Sequence, residues 1–264
     1  MSKSSQSSKH LSEVPHILGF PSLPEEIKNK FYELCDHKAD SKNPDLIEFL
    51  KKIIIPPSRH KVSKHIYFVK TPQAEEIDNI LKKRNGFFVE AGALDGECAS
   101  NTLYLEIEKG WTGLLVEPDP YYFTQIIGKN RNSWAINACL SPFNYASKLY
   151  FRGSNNQIGR VQLNKTDENL FEVPCFPLQS LLLAIGVKNV DFFSLDVEGD
   201  EVPILKSLPF NEIDIKTLAV EYRHGKPQEY LDVMAKKGYN MTKQLKATIN
   251  EHLIYVDDYI FVKQ

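Results

Sequence analysis

The sequence has no apolar run of the roughly 18–20 residues that a membrane-spanning helix needs. It has no CxxC pair and no Cys/His cluster, which excludes the common structural zinc sites. Its four cysteines, Cys35, Cys98, Cys139 and Cys175, lie far apart, and in a chain of 264 residues this suits buried reduced thiols better than a disulfide framework. It lacks a strong charge of either sign: the net charge is −2, so there is no global electrostatic case for nucleic acid. No internal repeat is visible. The N-terminal "MSKSSQSSKH" has no apolar core and reads as a disordered polar tail over residues 1–20, not a signal peptide. With no anchor in view, the expected location is the cytoplasm.

What is present is a helical region followed by alternating strands and helices. Apolar residues at helical spacing run from Pro24 to His37, from Asp45 to Ile54 and from Ala74 to Arg84, so residues 21–85 read as a helical cap or lid. Within it, Lys51–Lys70 carries Lys51, Lys52, Arg59, Lys61, Lys64 and Lys70 and no acid. That stretch is either a solvated surface or a contact for an anionic partner.

From Gly86 to the C-terminus, strands are expected to end at Glu90, Glu117, Ala138, Asp196 and Glu221. Helices are expected at Cys98–Glu108, Tyr121–Asn130, Leu178–Ile185, Glu201–Leu208 and Gln228–Lys237. Two short tail strands, Leu253–Val256 and Tyr259–Val262, would close the edge. Residues 86–264 are thus one doubly wound α/β domain with a mostly parallel sheet.

The segment "GFFVEAGALDGECASNTLYLE" is a strand, a glycine turn and a helix, a unit that commonly holds a nucleotide. The dinucleotide fingerprint fails: counting from Gly92, Leu94 and Glu97 stand where the second and third glycines belong. A P-loop fails as well. Glu90 and Asp95 would repel a pyrophosphate. They suit a ligand with a cationic end, such as S-adenosylmethionine, with its ammonium and sulfonium. On this reading the helix N-terminus near Glu97–Ala99 takes the ligand carboxylate, and Ser100 or Asn101 adds a donor. Glu117, closing the second strand in "TGLLVEPDP", accepts from the ribose hydroxyls.

The five blocks "FFVEAGALDGECASNTLYLE", "GWTGLLVEPDP", "KNR…W…ACLS", "CFPLQSLLLAIG" and "DFFSLDVEGDEVPIL", in this order, resemble the FkbM-type methyltransferases and are most similar to the arthropod set that includes Star. The resemblance spans about Ile66 to the C-terminus. It implies a class I methyltransferase fold: a Rossmann-like seven-stranded sheet of order 3-2-1-4-5-7-6, with the last strand antiparallel. It also implies S-adenosylmethionine as cofactor. The cofactor residues would be Glu90, Gly92, Ala93, Asp95, Gly96, Asn101, Glu117, Asn137 and Asp196, with adenine near Asn137–Cys139. The family often has a Ser-Gln-x-x-Gln-Asp stretch before the first strand. Here "TPQAEEID" keeps Gln73 and has Glu75 and Glu76 beyond it.

Chemistry is expected at the carboxyl ends of the fourth and fifth strands, with Asp196 positioning and Glu221 or His224 as base. No metal is expected there. The reaction would be O-methyl transfer to a small-molecule, lipid or RNA acceptor. The alternative is a Star-like binding protein acting in membrane trafficking, and the basic stretch is its support.

Overall fold

The structure is a computed structural model that describes residues 20–60, 69–152, 160–162, 166, 168–249 and 254–264. A 3-10 turn, Phe20–Ser22, precedes helices α1 (Glu25–Asp36), α2 (Pro44–Ile53) and α3 (Pro72–Leu81). Then come β1 (Phe87–Ala91), α4 (Leu103–Lys109), β2 (Thr112–Val116), α5 (Pro120–Gly128), β3 (Trp134–Ile136) and β4 (Cys139–Leu140). They are followed by β5 (Ser147–Arg152), β6 (Arg160–Gln162), β7 (Phe171–Phe176), α6 (Leu178–Ala184), β8 (Asn189–Leu195) and α7 (Glu201–Ser207). The chain closes with β9 (Asp214–Glu221), α8 (Pro227–Lys236), β10 (Tyr239–Ile249) and β11 (Ile254–Lys263).

Local chemistry sets several helix starts. Asn43, Thr71 and Asp119 each accept a hydrogen bond from a backbone N–H of the first turn, and a proline follows each of them. Such a residue satisfies one of the orphan donors of the helix, and proline has no N–H to lose there.

Seven strands form one sheet in the order β10-β11-β9-β8-β1-β2-β3. β1, β2, β3, β8 and β9 pair in parallel, and β11 runs antiparallel to β9. This is the class I methyltransferase topology. The order reverses between β1 and β8, and there the carboxyl ends of the strands leave a binding place in open α/β sheets.

Four features depart from the expectations. First, residues 21–85 are not one cap over the strand ends. Because strand side chains alternate between faces, Val89, Ala91, Leu114 and Val116 pack with α1 and α2, whereas Phe88 and Leu115 pack with α3. The helices are therefore divided between the two faces of the sheet. Phe31 and Phe49 meet Phe176 at 5.7 and 6.1 Å between ring centroids, which ties α1 and α2 to the end of β7. Phe20, placed in the expected tail, is core and lies 4.8 Å from Phe31.

Second, a four-stranded sheet of order β4-β7-β5-β6 fills the region between β3 and α6. Third, the two tail strands are one, β11, paired with β10 over most of its length; Leu253 lies outside the described residues. Fourth, Cys139 and Cys175 are register partners on β4 and β7, 4.4 Å apart at Cα, and are joined by a disulfide. The expectation of four reduced thiols is corrected there: sheet register brings together cysteines that the sequence keeps apart. Cys35 is a free thiol.

Candidate active site

The chain turns out of β1 through Gly92 at φ +83°, where a Cβ would fall 1.8 Å from the carbonyl oxygen of Asp196. Only glycine lets the loop after β1 run this close to the end of β8. The N–H groups of Gly92 and Ala93 donate to Val116 O, and Gly96 makes a second positive-φ turn at +76°. Leu94 is held at φ +49°, a strained value for a residue with a side chain, and its N–H donates to Glu117 Oε2 at 2.8 Å. Asp119 N–H donates to Glu117 Oε1, also at 2.8 Å. Burial dominates these two bonds and pushes the Glu117 carboxyl up to about 8.

Glu90 is held by the loop after β1. Asn101 N–H donates to its Oε1 at 2.7 Å, and Ser100 and Thr102 hydroxyls donate to its Oε2 at 2.9 and 2.5 Å. Burial raises its pKa, and the Arg131 guanidinium opposes the rise. Asp95 is also occupied: its Oδ1 accepts from the N–H groups of Glu97 and Cys98. These bonds take up part of the acceptor capacity that the expected pairing with a cationic ligand would use. The expected helix N-terminus near Glu97–Ala99 is corrected. α4 begins only at Leu103, and residues 98–102 instead wrap around Glu90.

Asn101 donates from its side chain to Ser194 Oγ, bridging β1 and β8. Asn137 donates to the carbonyls of Glu117 and Pro118 and accepts from Phe20 N–H, so its side chain holds the end of β3 against the N-terminal turn.

Sequence reasoning gave no role to the residue that organises this loop. Arg131 is buried, with Nε donating to Glu106 Oε2 at 3.0 Å and Nη2 to Thr102 Oγ1 at 3.1 Å; Nη1 donates to Gly96 O. Glu106 also accepts from Asn132 N–H and the Ser133 hydroxyl. The block "KNRNSW" offers Arg131 as a signal only once its partner, 25 residues upstream, is known.

The other side of the switch point is built differently. Asp196 and Glu198 follow β8, Glu201 opens α7, Glu221 ends β9, and Asp257 and Asp258 lie on β11. Asp258 is the register partner of Glu221. The parallel pairing of β8 with β9 brings Asp196 and Glu221 together, as expected: an oxygen of each, with one of Glu201, lies within 4.8 Å of the others. Arg223 Nε is 3.7 Å from Glu221 Oε1 and donates to Asp257 at 3.3 Å. His224 Nε2 is 2.6 Å from Glu198 Oε2 and 3.8 Å from Glu221 Oε2.

Burial first, then the neighbouring carboxylates, raises Asp196 and Glu221 well above the carboxylate range. Burial likewise pushes Asp258 up to about 7 although Gln73 Nε2 donates to it at 2.8 Å. Glu221 Oε2 and Gln73 Oε1 are buried with no hydrogen-bond partner. The retained glutamine of "TPQAEEID" thus supports the site from α3. Glu201 accepts from the N–H groups of Val197 and Gly199 and shapes the loop after β8.

The basic stretch is partly absorbed by structure. Lys51 pairs with Glu48 at 2.6 Å, Ile53 and Ile54 are core, and Lys70 lies 3.7 Å from Asp78. Lys52 and Arg59 are exposed, and Lys61 and Lys64 lie outside the described residues. No helix among the described residues is long and apolar enough to cross a membrane.

The Methyltransferase FkbM domain matches residues 90–241, more than half of the chain and all of the switch point up to β10. The chain belongs to the FkbM methyltransferase family. Comparison with curated proteins found no match, so nothing supports the narrower Star-like set.

Among solved structures, this FkbM chain is similar to a TehB-like SAM-dependent methyltransferase from Corynebacterium glutamicum. The identity is 11% and the TM-score 0.40, covering 76% of this chain and 90% of that one. A putative RNA methyltransferase from Pyrococcus horikoshii gives 15% and 0.41, covering 83% and 94%. Magnesium protoporphyrin IX methyltransferase from Synechocystis gives 10% and 0.41, covering 72% and 79%. Overlaps this remote carry no argument about chemistry.

Proposed function

We propose that this FkbM-family chain transfers a methyl group from S-adenosylmethionine to an oxygen of an acceptor bound beside Asp196, Glu221 and His224. The observation that carries the reading is the surplus of buried acceptor atoms where β8 and β9 end beside β11 and α3. Gln73 Oε1 and Glu221 Oε2 have no donor, amid the carboxyls of Asp196, Glu201 and Asp258. Buried acceptors left unpaired cost about 1–3 kcal/mol each. A ligand with an ammonium and a sulfonium supplies both donors and positive charge.

The residues present fit that cofactor in part. Glu117, just past β2, keeps acceptor capacity on each oxygen beyond the N–H groups of Leu94 and Asp119, which suits a vicinal diol, and the Gly92–Gly96 turn runs beside it. Glu90 is not part of the fit, because its oxygens are already bonded within the protein. When bound, the cofactor supplies an electrophilic methyl group on a cationic sulfur. Asp196 orients the ligand's cationic end or the acceptor. The group Glu198–Glu221–His224 faces the acceptor oxygen and manages its proton. The acceptor loses that proton as the new O–CH3 bond forms and the S–CH3 bond breaks, its electron pair staying on sulfur. Glu221 is protonated at neutral pH before ligands bind, so by itself it is a poor base in the free chain.

Calorimetry with S-adenosylhomocysteine and, separately, with NAD tests the cofactor. Binding of the first and not the second is expected, and the reverse result ends the reading. Incubation with methyl-labelled S-adenosylmethionine and panels of sugars, lipids and RNA then seeks the acceptor. Once one is found, Glu221→Gln should keep cofactor affinity and lower turnover by roughly 10²–10⁴-fold.

A further inference from the structure

One ligand atom each of Glu198, Glu221 and His224 lies within 4.8 Å of the others, where the loop after β8 meets the end of β9. Glu198 stands at φ +61°, a strained conformation for a side-chain-bearing residue, and Gly199 follows at +129°. That turn places the Glu198 carboxylate 2.6 Å from the imidazole. Clustered carboxylates alone would say little. The independent observation is Glu221: its side chain is 5% exposed, its Oε2 has no hydrogen-bond partner, and that atom lies 3.8 Å from His224 Nε2. A buried carboxylate oxygen aimed at a ring nitrogen and a second carboxylate, without a donor, is an arrangement that a cation completes.

We propose that Glu198, Glu221 and His224 bind one divalent transition-metal ion, and that its open positions take oxygen atoms of the methyl acceptor. Two carboxylates and one imidazole form a mixed O,O,N set, which favours Mn2+, Fe2+ or Zn2+ over Mg2+ and Ca2+. Three protein ligands leave coordination positions free, as catalytic sites require. The free side is the solvent side, since His224 and Glu198 are 29% and 17% exposed while Glu221 is enclosed. Asp196 and Glu201 also converge on Glu221 and place further carboxyl oxygens behind the ion. Arg223 approaches the other oxygen of Glu221 and leaves Oε2 to the metal.

The second half of the proposal rests on the methyl-transfer reading. An acceptor hydroxyl bound to the ion becomes more acidic and releases its proton to water, so no single strong base is needed. Acceptors with two adjacent oxygens, such as vicinal diols or hydroxy-carbonyl compounds, would chelate the ion and are the class to try first.

The test uses the full chain without an affinity tag, freed of metal by chelator dialysis. Titration with MnCl2 and, separately, ZnCl2 should show one ion per chain by calorimetry. The Mn2+ complex should show electron-spin-echo modulation from an imidazole nitrogen. His224→Ala and Glu198→Gln should each weaken Mn2+ binding by about tenfold or more. Glu25→Gln, far from the site, should not. No ion bound by the wild-type chain, no nitrogen coupling, or equal affinity in His224→Ala would overturn the site. The nitrogen signal reads the wild-type protein, so the test stands even if a variant fails to fold. Titration with S-adenosylhomocysteine beside it separates the two readings. Cofactor binding without Mn2+ binding overturns the metal site alone. Mn2+ binding without cofactor binding supports the site and overturns its role in methyl transfer.

Discussion

Glu90 and Glu221 end strands of the same sheet and are equally buried, yet their surroundings are opposite. Glu90 accepts from Ser100, Asn101 and Thr102, with Arg131 close by. Glu221 faces Asp196, Glu198 and Glu201, and one of its oxygens accepts from nothing. On the β1–β2 side acids are fasteners: Glu106 holds Arg131, Asp95 holds two N–H groups, and Glu117 joins the loop after β1 to the start of α5. On the β8–β9 side they are held together against their mutual repulsion by the sheet itself. A buried acid satisfied by the protein has little left for a ligand, whereas one left unsatisfied is available for chemistry. On the proposed function, reactivity lies at the ends of β8 and β9 and the scaffold at the ends of β1 and β2.

The largest effect that could break this contrast is at Arg131. Arg131→Met leaves Glu106 buried without its partner and should destabilise the fold by about 3–5 kcal/mol in urea denaturation. Glu221→Gln, on the other side, should change stability by less than about 1 kcal/mol, because a protonated carboxyl and an amide are similar in size and charge. Equal losses in the two variants would erase the distinction.

The pH dependence comes next. The carboxyls of Glu117, at about 8, and Asp258, at about 7, lie above the usual 4.5 and 3.8. The folded chain therefore holds these protons more tightly than the unfolded chain. Their contribution is fully present below the unfolded values and is lost as pH rises through 7 and 8. Stability measured in urea should fall between pH 5.5 and 8.5. Asp258→Asn should flatten the lower part of that slope. A rise in stability over this range would mean that the acids on the β8–β9 side are better paired than their geometry indicates.

Glu117 is the one fastener that also faces the ligand side in the proposed function. Glu117→Ala should weaken S-adenosylhomocysteine binding by roughly 1–3 kcal/mol by calorimetry. An unchanged affinity would return Glu117 to a purely structural role. The smallest effect belongs to the exposed basic stretch. Lys51 is paired only with Glu48 on its own helix, so Lys51→Ala should shift stability by no more than about 0.5 kcal/mol.

Much of the fold was legible before any coordinates. The periodic spacing of Phe31 and Leu34, or of Leu46, Phe49 and Leu50, marks helices that exist within a residue or two of their expected ends. Apolar runs closing on Glu90, Glu117, Asp196 and Glu221 mark four of the five expected parallel strands. The missing glycines after Gly92 exclude a dinucleotide loop, and the order of blocks points to the FkbM family. These are local signals: spacing, caps and turn residues act over a few positions, so one sequence carries them.

What tertiary structure decided is which acids are spent. The partners that neutralise Glu90 and Glu106 come from the loop after β1 and from Arg131. Asp258 draws its donor from Gln73, 185 residues away. The strands β4 to β7 are short and irregular, and their pairing, including Cys139 with Cys175, depends on register across a long loop. Helices α1–α3 read as one cap in sequence, but strand alternation distributes them to opposite faces. Residue type and position along a strand are determined by the chain itself. Whether a carboxylate fastens or reacts depends on hydrogen-bond donors and charges supplied from distant segments, and only folding brings those within reach.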